Sequence, residues 1–100
     1  MRSIDKKKKV YIELEPQLDA CVETQAKRQY NQLVRELIDK GAEEELVEKT
    51  ETLRLFLESA DFNKLRRESE KHLLAGRKVK FLVRREKGQP RYEMQVNIKR

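Results

Sequence analysis

Two alternating runs near the end of the chain constrain its fold more than any other feature. Apolar residues occupy every second position of both runs: Val79, Phe81 and Val83, then Tyr92, Met94, Val96 and Ile98. This period is typical of strands that bury one face, and the intervening segment Glu86 to Pro90, which includes a glycine, suits a turn. The runs therefore predict a β-hairpin with one apolar and one basic face. The residues assigned to the basic face are Lys78, Lys80, Arg84, Arg85 and Arg91. Because a lone hairpin is barely stable in water, its apolar face must cover helices or extend a sheet.

The first part of the chain, at residues 6–41, changes its hydrophobic period once. Residues 10–14 alternate between apolar and polar and predict a short strand, which should end at Pro16 because proline has no amide hydrogen to donate. Beyond it, apolar residues recur at intervals of three and four, as in a helix with one buried stripe. Two helices are predicted here, at residues 17–28 and 31–40. Asn31 would cap the second helix and Gly41 would end it.

Strand, helix and helix in this order resemble the ribbon-helix-helix family of DNA-binding repressors and antitoxins. The similarity is strongest in Lys27 to Gly41, KRQYNQLVRELIDKG, and the whole match covers about a third of the chain. The positions that correspond to characteristic residues of the family's second helix are Leu33, Val34, Arg35, Glu36 and Ile38. In that family, two copies pair their strands into an antiparallel ribbon that lies in the major groove. The resemblance therefore implies a homodimer, or a higher homo-oligomer, that binds duplex DNA.

The same resemblance implies which residues contact DNA. It places Lys9, Tyr11 and Glu13 on the side of the ribbon that faces the groove, and it lets the amides of Asn31 and Gln32 anchor a phosphate at a helix N-terminus. A basic arm in front of the strand adds attraction to phosphates that does not depend on sequence. The candidate nucleic-acid-binding residues are Lys6, Lys7, Lys8, Lys9, Tyr11, Glu13, Asn31 and Gln32.

Two architectures of the α+β class fit the predicted elements. Residues 42–100 are predicted as two helices, separated by a break at Ser59 to Asp61, and the C-terminal hairpin. In the first architecture, residues 1–41 form a ribbon-helix-helix DNA-binding unit and residues 42–100 form a module for oligomerisation or for a protein partner. In the second, Val10 to Leu14 joins the hairpin in a three-stranded antiparallel sheet, and the helices pack on its apolar face as a single α+β domain.

Charge is separated along the chain, whose formal net charge is +6. Residues 1–10 carry five basic and one acidic side chain, and residues 76–100 carry nine basic and two acidic side chains. A basic surface on these strand-like segments would attract nucleic acid or another polyanion. Lysine-rich strand edges also discourage pairing with other chains, which is the alternative explanation for the same pattern.

Few residues offer catalytic or metal-binding chemistry. Cys21 and His72 are the only cysteine and the only histidine, so no metal-ligand spacing exists and no internal disulfide can form. The sequence also lacks a glycine-rich phosphate loop and a histidine-containing triad pattern. We therefore expect neither an enzyme nor a cofactor. No apolar run approaches the length of a membrane span, and we expect a cytoplasmic protein that makes no membrane contact.

The expected function is that of a dimeric, sequence-specific DNA-binding transcriptional regulator, or of an antitoxin-like repressor whose residues 42–100 bind a protein partner. The alternative is a small protein-interaction or scaffold module whose basic faces meet an acidic partner or RNA. Both functions depend on the basic residues, but only the first requires the two-chain ribbon.

Overall fold

The structure is a computed structural model that describes residues 10–97. Its elements are β1 (Ile12–Leu14), α1 (Val22–Lys40), α2 (Glu44–Ser59), α3 (Phe62–Leu74), β2 (Lys78–Glu86) and β3 (Gln89–Asn97). The three strands form one antiparallel sheet in the order β1, β2, β3. The predicted single α+β domain with a three-stranded sheet is confirmed.

The C-terminal hairpin has a tighter turn than the sequence suggested. Glu86 pairs with Gln89, so only Lys87 and Gly88 lie in the loop, with φ angles of 53° and 78°. Two successive positive φ angles define the turn type whose twist matches that of antiparallel strands. The pairing continues without interruption to Lys78 and Asn97. The predicted hairpin is confirmed.

One core lies between the apolar face of the sheet and the helices. The buried apolar residues are Ile12, Leu14, Val22, Ala26, Leu33, Leu46, Leu53, Phe56, Leu65, Val79, Phe81 and Val83. Phe56 of α2 meets the edges of Phe62 and Tyr92, with ring centroids 5.4 and 5.9 Å away. Both predicted segments, 1–41 and 42–100, contribute residues to this core.

The chain enters its first helix later than predicted and does not break it. Gln17 and Ala20 close a turn by exchanging backbone hydrogen bonds of 2.9 and 3.0 Å. A single helix of 19 residues, α1, then runs to Lys40, and Gly41 ends it with a φ of 87°. The predicted pair of helices at 17–28 and 31–40 is wrong, because nothing between them interrupts the helix and one buried stripe continues through the segment.

The predicted break at Ser59 to Asp61, which lies between α2 and α3, is confirmed. Asp61 precedes α3, and its Oδ1 accepts a hydrogen bond of 3.2 Å from the backbone amide of Lys64. This bond satisfies one of the amides that a helix start leaves without an intrahelical partner. The cap fixes the point at which the chain turns from α2 into α3.

The two-chain ribbon expected of β1 is wrong. One edge of β1 pairs with β2 of the same chain, with Ile12 opposite Val83 and Leu14 opposite Phe81. All four side chains are buried, so moving β1 to another strand would expose apolar surface on both partners. The other edge of β1 is covered by α1, as described below.

Candidate functional site

Glutamine side chains of α1 cover the outer edge of β1. The Oε1 of Gln25 accepts a hydrogen bond from the amide of Glu15 at 2.9 Å, and the Nε2 of Gln29 donates to the carbonyl of Glu13 at 2.8 Å. Four helical residues rise about 6 Å and two strand residues about 6.8 Å. Side chains four residues apart on α1 therefore have nearly the same spacing as outward backbone groups two residues apart on β1. In this region, α1 occupies the place of a fourth strand.

The same face of α1 continues into an open groove of about 340 Å³. Its lining residues are Tyr11, Ile12, Glu13, Gln29, Gln32, Leu33, Glu36, Leu46 and Lys49. Ile12, Leu33 and Leu46 are buried and form its apolar wall. Lys49 is paired with Glu45 at 3.5 Å, and Glu13 is paired with Lys80 at 3.7 Å. The lining of the groove contains no cysteine, histidine or serine that could act as a nucleophile or imidazole base.

The structure gathers three of the predicted DNA-contacting residues in this groove. Tyr11, Glu13 and Gln32 line it, whereas Asn31 is exposed and does not. The helix N-terminus predicted at Asn31 is wrong. Its amide lies inside α1, where helical geometry directs each N–H to the carbonyl four residues earlier, so it offers no anchor for a phosphate.

The basic arm Lys6, Lys7, Lys8 and Lys9 lies outside the described residues. Residues 10–97 contain seventeen basic and seventeen acidic side chains, so this part of the chain has no net formal charge. The whole excess of +6 therefore belongs to residues 1–9 and 98–100. Within residues 10–97, a cation is therefore available to an outside anion only to the extent that it is not paired with a carboxylate.

The charged side chains of α2 are largely paired. Arg54 binds Glu51 and also Glu58, the latter at 2.8 Å, and Glu48 binds Arg85 of β2. The hydrogen bond from Arg54 lowers the pKa of the Glu51 carboxyl, and the same bond raises the pKa of Arg54. Cations held in this way are less available to an outside anion.

The exposed side of α3 is different. Lys64, Arg67 and Lys71 are exposed, follow one another at intervals of three and four, and therefore lie on one face of the helix. None of the three forms an ion pair within residues 10–97. We call these three residues the α3 basic stripe. The acidic residues of the same helix are Glu68 and Glu70.

The α3 basic stripe continues into a basic segment. Arg77 follows the helix, with its Nη1 3.1 Å from Nδ1 of His72, and the exposed Lys78 begins β2. Residues 62–80 carry seven basic and two acidic side chains, whereas residues 42–61 carry two basic and seven acidic side chains. The two neighbouring segments thus have opposite charge.

The predicted basic face of the hairpin is mostly neutralised. Arg84 and Arg91 both lie near Glu86, at 3.4 and 3.8 Å, and Lys80 pairs with Glu13. Arg85, which the sequence assigned to this face, contacts Glu48 of α2 instead. Alternation puts residue 85 on the same face as Val83, so its side chain points to the helical side of the sheet. That assignment is wrong.

Cys21 stands immediately before α1 and is half buried. Its Sγ lies 3.5 Å from Oγ1 of Thr24, and this hydrogen bond lowers the pKa of the thiol. Within residues 10–97, no three side chains of His, Cys, Asp or Glu are grouped to hold a metal ion. No helix in the described part of the chain is long and apolar enough to cross a membrane.

Sequence reasoning missed the residues that cover the edge of β1 and those that form the α3 basic stripe. Gln25 and Gln29 have the spacing of a single helical face, but their role depends on β1 lying beside them. The α3 basic stripe was readable as K-x-x-R-x-x-x-K within a predicted helix.

These features define an α+β protein that has a covered sheet edge, a polar groove and an unpaired basic helix face. The chain belongs to an uncharacterized protein family whose model matches residues 9–97. No ribbon-helix-helix family matches, so the membership implied by Lys27 to Gly41 is wrong.

A relative and the known structures add little about function. An uncharacterized protein of Archaeoglobus fulgidus is 48% identical over an alignment of 50 residues that covers 47% of this chain and 59% of the relative. The match therefore spans less than two thirds of that relative. No solved structure matches the chain.

Proposed function

We propose that this is a nucleic-acid-binding protein that contacts the phosphate backbone of duplex DNA through the α3 basic stripe. The observation that carries the proposal is the exposure of Lys64, Arg67 and Lys71 on one helix face without an ion pair inside residues 10–97. Cations of α2 and most of those on the polar face of the sheet have carboxylate partners, so binding DNA there would require those pairs to open.

The length of the stripe suits a polyanion. Seven residues separate Lys64 from Lys71, which corresponds to about 10 Å of helix. Duplex DNA carries about one negative charge per 1.7 Å of its axis, so the stripe faces several phosphates. Arg77 and Lys78 extend the basic surface, and the terminal segments 1–9 and 98–100 supply the net charge of +6 that attracts the duplex from a distance.

The proposal covers contacts to the backbone, which position a protein without reading bases. Sequence-specific recognition, transcriptional regulation, antitoxin-like repression and a cytoplasmic location stay predictions.

The test compares two neutralised variants of equal net charge. One carries Lys64→Gln, Arg67→Gln and Lys71→Gln; the control carries Arg28→Gln, Arg35→Gln and Lys40→Gln on α1, which are also exposed and without an ion pair inside residues 10–97. Affinity for a short duplex is measured by fluorescence anisotropy over a range of salt. Each lost phosphate contact lowers the slope of log K against log salt by about 0.9. The α3 variant should lose roughly 2 to 3 in slope, and the control should keep the slope of the unmodified protein.

An acidic protein partner is the second candidate, because the same unpaired cations attract carboxylates. If the unmodified protein shows no binding to duplex DNA at low salt, or if both variants lose affinity equally, the α3 basic stripe is not a DNA contact. Recovery of one acidic protein and no nucleic acid in a pull-down that the α3 variant abolishes would favour this candidate.

A further inference from the structure

Among residues 10–97, no strand pairs with the outer edge of the nine-residue strand β3. In the strand order β1, β2, β3, the strand Gln89–Asn97 has a neighbour on one side within the described part of the chain. An open edge presents unpaired backbone donors and acceptors and is a template for another strand. The opposite edge of the sheet is different, since α1 covers β1 there.

The hairpin turn determines which backbone groups face outward. In a hairpin with a two-residue loop, the pair that closes the loop exchanges hydrogen bonds, and bonded pairs then alternate with non-bonded pairs. Since Glu86 and Gln89 are the closing pair, every second residue of β3 from Pro90 onward turns its N–H and C=O away from β2. These outward residues are Pro90, Tyr92, Met94 and Val96. Pro90 fits this assignment, because proline has no backbone N–H that would be left without a partner at an outward position.

The side chains of β3 are complementary to themselves about Tyr92. Arg91 and Glu93 flank it on the polar face of the sheet, so a two-fold axis at Tyr92 places Arg91 opposite Glu93 of a second copy, twice. An axis at Met94 would instead set Arg91 against Asn97 and Glu93 against Gln95, without charge pairing. On the other face, Tyr92 is 43% exposed and would be covered further.

We propose that β3 pairs antiparallel with β3 of a second copy of this chain about a two-fold axis at Tyr92. The two sheets then join into one sheet of six strands. The Tyr92 residues of the two copies exchange two backbone hydrogen bonds, and the amide of each Met94 donates to the carbonyl of Pro90 in the other copy. This interface does not depend on DNA binding, and its test uses no nucleic acid.

Charge reversal with rescue tests both the edge and the register. Light scattering over a concentration series should give twice the chain mass for the unmodified protein. Arg91→Glu and Glu93→Arg each replace two attractive cross-strand pairs with repulsive ones and should weaken the dimer about tenfold. The double variant restores both pairs and should recover the dimer. Arg28→Glu, on α1, changes charge equally and should leave the mass unchanged.

Disulfide crosslinking supplies a readout that does not depend on charge. With Cys21 replaced by Ser, Tyr92→Cys places two thiols on a bonded pair whose Cα atoms lie about 5.5 Å apart, within the range of disulfides. Gln95→Cys separates the thiols by about 20 Å of strand and is the control. A monomer at all concentrations, a dimer indifferent to every charge variant, or equal crosslinking at the two positions would overturn the proposal.

Discussion

The two edges of the sheet differ in whether their outward backbone N–H and C=O groups have hydrogen-bond partners. At β1, the outward carbonyl of Glu13 and the outward amide of Glu15 are satisfied by Gln29 and Gln25 of α1. At β3, no strand among residues 10–97 pairs with the outer edge. Helical side chains can therefore substitute for a strand only where a helix runs alongside, and the uncovered edge remains available to a partner. Three experiments test how different the two edges are, and a fourth, on α2, is an internal reference.

The largest effect is expected from the buried side of the sheet. Leu14→Ala removes a fully buried side chain opposite Phe81 and should lower the free energy of unfolding by about 2–5 kcal/mol. Val96→Ala, at a half-buried position of β3, should lower the free energy of unfolding clearly less. Urea denaturation of both variants measures the difference. Equal losses would mean that the two edges are equally anchored in the core.

The next effect concerns the cover of β1. Removing both side-chain hydrogen bonds with Gln25→Ala and Gln29→Ala should lower the free energy of unfolding by roughly 1–3 kcal/mol and speed exchange of the Glu15 amide. Gln32→Ala is the matched control, since Gln32 lines the groove on the same helix face. If the control loses as much stability as the double variant, the glutamines do not act as a cover for this edge.

Amide exchange along β3 should report the open edge directly. The amides of Glu93 and Gln95 face β2 and should be protected at every concentration. Those of Tyr92 and Met94 face outward and should exchange quickly in dilute samples, then slow about tenfold as the dimer forms. Uniform protection along the strand in dilute samples would show that β3 has no open edge.

The smallest effect is expected on α2, which lies at neither edge and serves as the internal reference. Because Arg54 lowers the pKa of Glu51 in the folded protein, the pair stabilises the fold above the ordinary pKa of a glutamate. That contribution is lost as the pH falls through the lowered pKa. An NMR titration of the Glu51 carboxyl should show the depression, and Arg54→Gln should abolish it. An unchanged titration in that variant would contradict the assignment.

Much of the secondary structure was readable because its signals are local. The alternation from Val79 to Val96 predicted the hairpin, the capping residue Asp61 marked the start of α3, and Gly41 marked the end of α1. The failure at Lys27 to Gln29 has an equally local reason. That segment contains no glycine or proline that would stop a helix, and the break was predicted there because Asn31 was interpreted as a helix cap.

The candidate surfaces were less predictable, because each depends on contacts between distant parts of the chain. Tyr11, Glu13 and Gln32 were singled out for a DNA-facing ribbon, yet they meet beside a groove whose third wall comes from α2. Arg85 belongs to a basic run in the sequence, but its pairing with Glu48 required the sheet and α2 to be in place.

The sequence by itself determined the hairpin, the break between α2 and α3 and the end of α1, because hydrophobic period, capping residues and turn residues act within a few positions. It also determined the concentration of net charge in the terminal segments. Only the tertiary structure decided the partner of β1, since alternation requires one buried face but does not say which strand lies beside it. The paired residues of β1 and β2 lie about seventy positions apart in the sequence. The same nonlocal packing decided which cations have a carboxylate within reach, and so left the α3 basic stripe without an ion pair inside residues 10–97.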